Sequence, residues 1–259
     1  MKMHFPYISQ LLLALKCEIY RTISEIRNGK FEYIVGNIIL LGMMFGIRSL
    51  KFSPEGHASS TLISAIMSLA SMSIIGISGA VPREFLIDCA HGSLGRIFAS
   101  PLGFDMILIS RHLINTVHSY ISISFLSVIL LAFGAIPMDS VIYYLLLFPL
   151  IFIYSLAYGT LFVSVALLTK SEKITQLSSF FVAVVFIFLP NEHFLGQVAL
   201  FVPFSCLFTY IRTGAFMSGS YAGLWVWAYG VVCTALAWVF LRATLFNLTS
   251  SGRLLHKEA

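Results

Sequence analysis

From Thr61 to Val81 the chain passes through twenty-one residues without an Asp, Glu, Lys, Arg or His. A water-surrounded domain cannot easily hide a run of that length, whereas a helix of about 20 apolar residues matches the hydrocarbon core of a bilayer. Similar apolar stretches lie at about Tyr33–Ile47, Met106–Phe133, Val141–Thr169, Ile174–Leu189 and Tyr221–Leu241. Charged residues make up 10% of the chain and hydrophobic ones 58%, with a mean hydropathy of +0.91. A soluble domain carries about 25% charged residues. The expected fold class is therefore an all-α integral membrane protein, a single transmembrane domain of six helices across residues 1–259.

Three segments outside the spans have their own signatures. Residues 8–29 repeat Leu12, Leu15, Ile19, Ile23 and Ile26 on one helical face, with Lys16, Glu18, Arg21, Glu25 and Asn28 elsewhere and Arg21 and Glu25 spaced for an ion pair. This pattern predicts an amphipathic helix lying in the membrane interface, in contact with lipid. No small-residue cleavage site follows Leu11–Leu15, so the segment does not read as a cleaved signal. Residues 190–220 are too apolar for a plain loop, yet Glu192, His193, Pro203 and Arg212 interrupt them, and they read as a re-entrant segment on the outer side. The third segment is the connection 82–102 between spans two and three.

The distribution of basic residues orients the chain. With six spans and both termini in the cytoplasm, thirteen Lys and Arg residues lie inside and only Arg48, Lys51 and Arg212 outside. A seventh span at about Leu195–Ile211 would give eleven against five. Cytoplasmic flanks concentrate Lys and Arg, so six spans and a multi-pass location in the cell membrane follow. The net charge of +5 is accounted for by these flanks, and no basic surface interleaved with aromatics suggests nucleic acid.

The chain lacks the residues that most membrane chemistry needs. His118 is the one intramembrane candidate for proton or ion coupling, which argues against an ion-driven carrier. There is no G-x-S-x-G, no H-E-x-x-H and no P-loop, so no catalytic site is expected and ATP cannot be cradled by this chain alone. Cys17, Cys89, Cys206 and Cys233 are far apart without metal-ligand spacing, and read as packing residues.

The connection carries the most information. It reads Pro82-Arg-Glu-Phe-Leu-Ile-Asp-Cys-Ala-His-Gly-Ser-Leu-Gly-Arg-Ile-Phe-Ala-Ser-Pro-Leu102. Helical spacing groups Ile87, His91, Leu94 and Phe98 on one face, with Arg83, Glu84, Asp88 and Arg96 projecting as charge. A short apolar-faced helix held against the membrane is a docking element for a cytoplasmic partner.

Arg83-Glu84, Gly92-Ser93-Leu94, Arg96-Ile97 and Ser100-Pro101-Leu102 together resemble the connection of type-2 ATP-binding-cassette exporter permeases. That family has an Arg-Glu, then a Gly-Thr-Leu-Glu-Arg-Leu-like run ending in Ser/Thr-Pro. It also has an interfacial N-terminal helix, six spans and a re-entrant outer segment. Gly95 stands where the family has an acid, and His91 precedes Gly92 where an acid is also usual. The resemblance implies the permease subunit of an ATP-driven exporter, paired with a second copy or a paralogue. Cytoplasmic ABC ATPase subunits would hold ATP and magnesium. It further implies that Arg83, Glu84, Asp88, His91, Ser93, Leu94 and Arg96 form the coupling helix that meets the ATPase. The apolar, aromatic-rich spans favour an amphipathic or lipid-like substrate: a drug, a hydrophobic peptide or a glycolipid. The alternative is an accessory or sensor membrane module that docks a cytoplasmic partner without transporting anything.

Overall fold

The computed structural model describes residues 7–28, 58–134, 136–171, 173–175, 206–207, 210–211 and 222–250. The predicted first span, nearly all of the fifth, and most of the outer segment lie outside these residues. Seven helices account for nearly all of the described chain, with no strand among the described residues. They are α1 (Tyr7–Asn28), α2 (Ala58–Ala90), α3 (Leu94–Ala99), α4 (Gly103–Ala132), α5 (Met138–Leu146), α6 (Phe148–Thr169) and α7 (Ala222–Ser250). Among the described residues, three stretches are long and apolar enough to cross a membrane: Gly103–Ala132, Phe148–Thr169 and Gly223–Ser250.

Helix α6 is the centre of the bundle. It is apolar on every side and mostly buried, as expected of a helix enclosed by its neighbours. α2 and α7 pack along it, and α4 packs on α2 and α1. Two clusters of buried side chains fix the directions of the helices. At one end Phe85, Leu94, Leu108, Leu167 and Leu245 meet; at the other, Leu69, Leu126, Tyr144, Tyr154 and Val226. Thus α2, α6 and α7 run parallel, and α4 runs against them. Hydrogen bonds to main-chain oxygens reinforce the second end: the Tyr154 hydroxyl donates to the Val226 carbonyl at 3.0 Å, and Thr234 donates to Ile153 at 3.2 Å.

The outer surface of the bundle is apolar. Val117, Ile121, Phe125 and Val128 form an exposed stripe along α4, and Leu224, Val232, Leu236 and Val239 are exposed on α7. Water-facing surfaces seldom carry apolar area on this scale, while a lipid-facing surface requires it. α1 follows the same logic. Its Ala14 and Glu18 are buried, and Tyr7, Ile8, Leu12, Ile19 and Ile23 face outward. The helix turns Glu18 and Arg21 inward and leaves most of its apolar residues uncovered, the reverse of an amphipathic helix in water.

The helix ends differ from the sequence expectation in physically readable ways. Span two and the first part of the connection are one unbroken helix through Pro82, although proline removes one ladder hydrogen bond. The predicted fourth span divides at Leu147, between α5 and α6, where Pro149 occupies the first turn of α6 and needs no amide partner. The last helix continues nine residues past Leu241, and Arg242 pairs with Asp105 at the start of α4. Arg21 pairs with Glu18 and Glu84; the Glu25 side chain expected to meet it lies outside the described residues.

Candidate functional site

The connection begins where α2 ends, and its letters have structural causes. Gly92 adopts φ +67°, a left-handed conformation that costs glycine nothing. The Gly92 amide donates to the Cys89 carbonyl at 3.2 Å and the Ser93 amide to the Asp88 carbonyl at 2.9 Å, closing α2 with a Schellman motif. The Ser93 hydroxyl donates to Asp88 Oδ1 at 2.8 Å, and Leu94, 3% exposed, drops into the core between α2, α4, α6 and α7. The three residues of Gly92-Ser93-Leu94 therefore act differently: the glycine reverses the chain, the serine orients an acid, and the leucine anchors the segment.

The charges do not all project, as their spacing had suggested. Arg83, His91 and Arg96 are exposed, as is Ile87. Glu84 and Asp88, one turn apart on α2, point instead at Arg111 on α4. The apolar face expected of Ile87, His91, Leu94 and Phe98 is likewise divided. Leu94 is buried and Phe98 stacks on Phe104 with ring centroids 4.9 Å apart, while Ile87 and His91 face out. The helix turn at Gly92 breaks the single helical phase on which the spacing argument rested.

Arg111 is the centre of the arrangement. Its side chain is 4% exposed, with Nη2 2.6 Å from Asp88 Oδ2, Nε 3.1 Å from Glu18 Oε1 and Nε 3.7 Å from Glu84 Oε2. The Phe85 ring covers the guanidinium at 4.3 Å. Arg21 reaches from α1 to both Glu18 (2.9 Å) and Glu84, and Asn115 donates to Glu84 Oε1 at 2.9 Å. Three carboxylates thus share two guanidiniums in a site that largely excludes water. Burial pushes the Glu18 carboxyl above its ordinary range, and Arg111 and Arg21 hold it back only in part. Removing one partner from a buried charge set of this kind costs about 3–5 kcal/mol.

On another side of α4, His112 is fully buried and its two ring nitrogens have no hydrogen-bond partner among the described residues. The ring lies against Gly159 of α6, where a Cβ would come within 2.0 Å of its Cε1. The third turn of α4 is therefore gripped by charge toward α1 and α2 and by close packing toward α6. His118, the sequence candidate for proton coupling, sits half-buried farther along α4, away from the charge set.

In the sequence Arg111 is simply a charge near the start of the Met106–Phe133 stretch, with nothing local to group it with Glu18 and Arg21. A signal was present: Glu84 and Asp88 are four residues apart, as are Arg111 and Asn115, so each pair lies on one helical face. Only the packing of α2 on α4 shows that these faces meet.

The fold and this site define an all-helical protein with membrane-capable helices and a charge-braced connection at one end of the bundle. Comparison with family models, curated proteins and solved structures gives no match.

Proposed function

We propose that this chain is the membrane-spanning subunit of an ATP-driven exporter, acting as a pair with separate cytoplasmic ATPase subunits and moving an amphipathic or lipid-like substrate out of the cytoplasm or inner leaflet. One observation carries the reading: residues 83–99 present Arg83, Ile87, His91 and Arg96 outward while their backbone is braced by Asp88–Arg111 and by buried Leu94. A partner bound there would push on α2 and α4 directly, with little slack. The resemblance of Arg83-Glu84, Gly92-Ser93-Leu94 and Ser100-Pro101 to exporter permeases names the partner class.

The helix directions support six spans with both termini inside. α6 and α7 both end beside the connection, as the six-span reading with an outer re-entrant segment expects. The connection then lies on the cytoplasmic side, as the distribution of Lys and Arg requires.

The test is recovery of the ATPase. The tagged chain, purified in mild detergent from its native membrane, should bring with it a P-loop ATPase and a second permease copy. Ile87→Asp and Arg96→Glu, both at exposed positions, should insert normally and lose the ATPase, while Lys257→Ala retains it. An ATPase absent from the wild-type complex, or retained by both connection variants, would overturn the reading.

A further inference from the structure

We propose that Arg111 is a positioning residue that makes α1, the docking end of α2 and the first turns of α4 one moving body, so that displacement of the connection carries the lipid-facing helix with it. The transmission role rests on the docking reading above; the mechanical link does not.

The geometry points to this through the division of one guanidinium between two helices. Nε takes Glu18 of α1 at 3.1 Å and Nη2 takes Asp88 of α2 at 2.6 Å, from a side chain rooted in α4. Arg21 closes the circuit by reaching from α1 to Glu84 of α2. Ser93 holds Asp88 from behind at 2.8 Å, so the acid is oriented by the connection itself. Among the described helices α1 packs chiefly on α4, and its opposite face is apolar and uncovered. The charge set is thus its principal tie to the connection. A guanidinium can satisfy two carboxylates at once through its fixed fork, whereas a lysine ammonium is a single point on a flexible stem. If the connection moves, α1 must follow or these contacts must break in a water-poor site, where unpaired charge is costly. The apolar face of α1 would then shift within the membrane boundary at each cycle.

The experiment measures the link itself, without any ATPase. Spin labels are placed by Lys16→Cys and Ala99→Cys, exposed positions on α1 and α3, in a background lacking Cys17, Cys89, Cys206 and Cys233. The protein is reconstituted in vesicles of phosphatidylethanolamine and phosphatidylglycerol. The wild-type charge set should give one narrow distance distribution. Arg111→Lys and Glu18→Gln should each lose it, with helical content unchanged. A second label pair, Ala90→Cys with Val117→Cys, reports the α2–α4 contact and should stay narrow in Glu18→Gln, where Arg111 keeps Asp88. Arg242→Lys, at the exposed pair with Asp105, should leave both distances narrow. If Arg111→Lys fails to fold, Glu18→Gln decides alone. A narrow Lys16–Ala99 distance in Glu18→Gln overturns the proposal, and so does equal broadening of both label pairs, which would mark general fold support. A loosened α1 with no ATPase recovered from membranes refutes the docking reading and leaves the brace. An unchanged distance with the ATPase recovered does the opposite.

Discussion

Gly159→Ala tests how tightly α4 is held against the central helix. Alanine is the better helix former by about 1 kcal/mol, so on propensity alone the change should stabilise α6. The structure opposes this gain. The added Cβ would lie 2.0 Å from Cε1, 2.8 Å from Nδ1 and 3.1 Å from Nε2 of His112. Carbon atoms rest at about 3.5–4.0 Å, so the ring must retreat by roughly 1.5 Å. His112 is fully buried, so any retreat displaces other side chains or parts α4 from α6. Overpacking of a filled core costs about 1–3 kcal/mol, and an overlap this deep belongs at the upper end. The net expectation is a loss of about 2 kcal/mol, the clash outweighing propensity. Unfolding in mixed micelles, followed by far-ultraviolet circular dichroism, would measure it. Adding His112→Ala removes the obstructing ring, so the Gly159→Ala penalty should disappear in that background. A Gly159→Ala protein as stable as the wild type would show that the imidazole is free to swing aside, and the wedge argument would fail.

Three further outcomes follow from the same structure. Leu94→Asp places a charge inside the chain's own core and should cost more than about 3 kcal/mol; normal folded yield from this variant would contradict the position of Leu94. Glu18 has a folded pKa raised above 4.5, so the folded chain keeps a proton that the unfolded chain has released. Stability should therefore fall as pH rises from 4.5 through the folded value, and Glu18→Gln should flatten that slope. Unfolding midpoints measured on either side of the window decide this, and identical slopes in the two proteins would refute it. Finally, Asp139→Cys and Ala99→Cys are exposed at opposite ends of the bundle. In a cysteine-free background of intact cells an impermeant thiol reagent should label the first and not the second, and labelling at Ala99→Cys would reverse the orientation.

The long apolar runs and the local signals were legible in the sequence because they depend on composition and spacing alone. Met106–Phe133 became Gly103–Ala132 because a long apolar run marks a span by composition, and residues 8–29 became Tyr7–Asn28 because a 3.6-residue period marks a helix. The outward apolar face of α1 was also written there, because Leu12, Ile19 and Ile23 share a face whatever covers it. What spacing could not decide is which way a polar side chain faces once helices pack. Arg83 and Glu84 are adjacent letters of similar polarity, yet Arg83 is exposed and Glu84 is turned toward two arginines. Glu18 and Arg111 stand ninety-three residues apart. No local rule joins them, and they meet only because α1 and α2 both pack on α4. Tertiary packing therefore decided the brace behind the connection: a buried charge must find opposite charge, and the partners within reach are set by how the helices assemble.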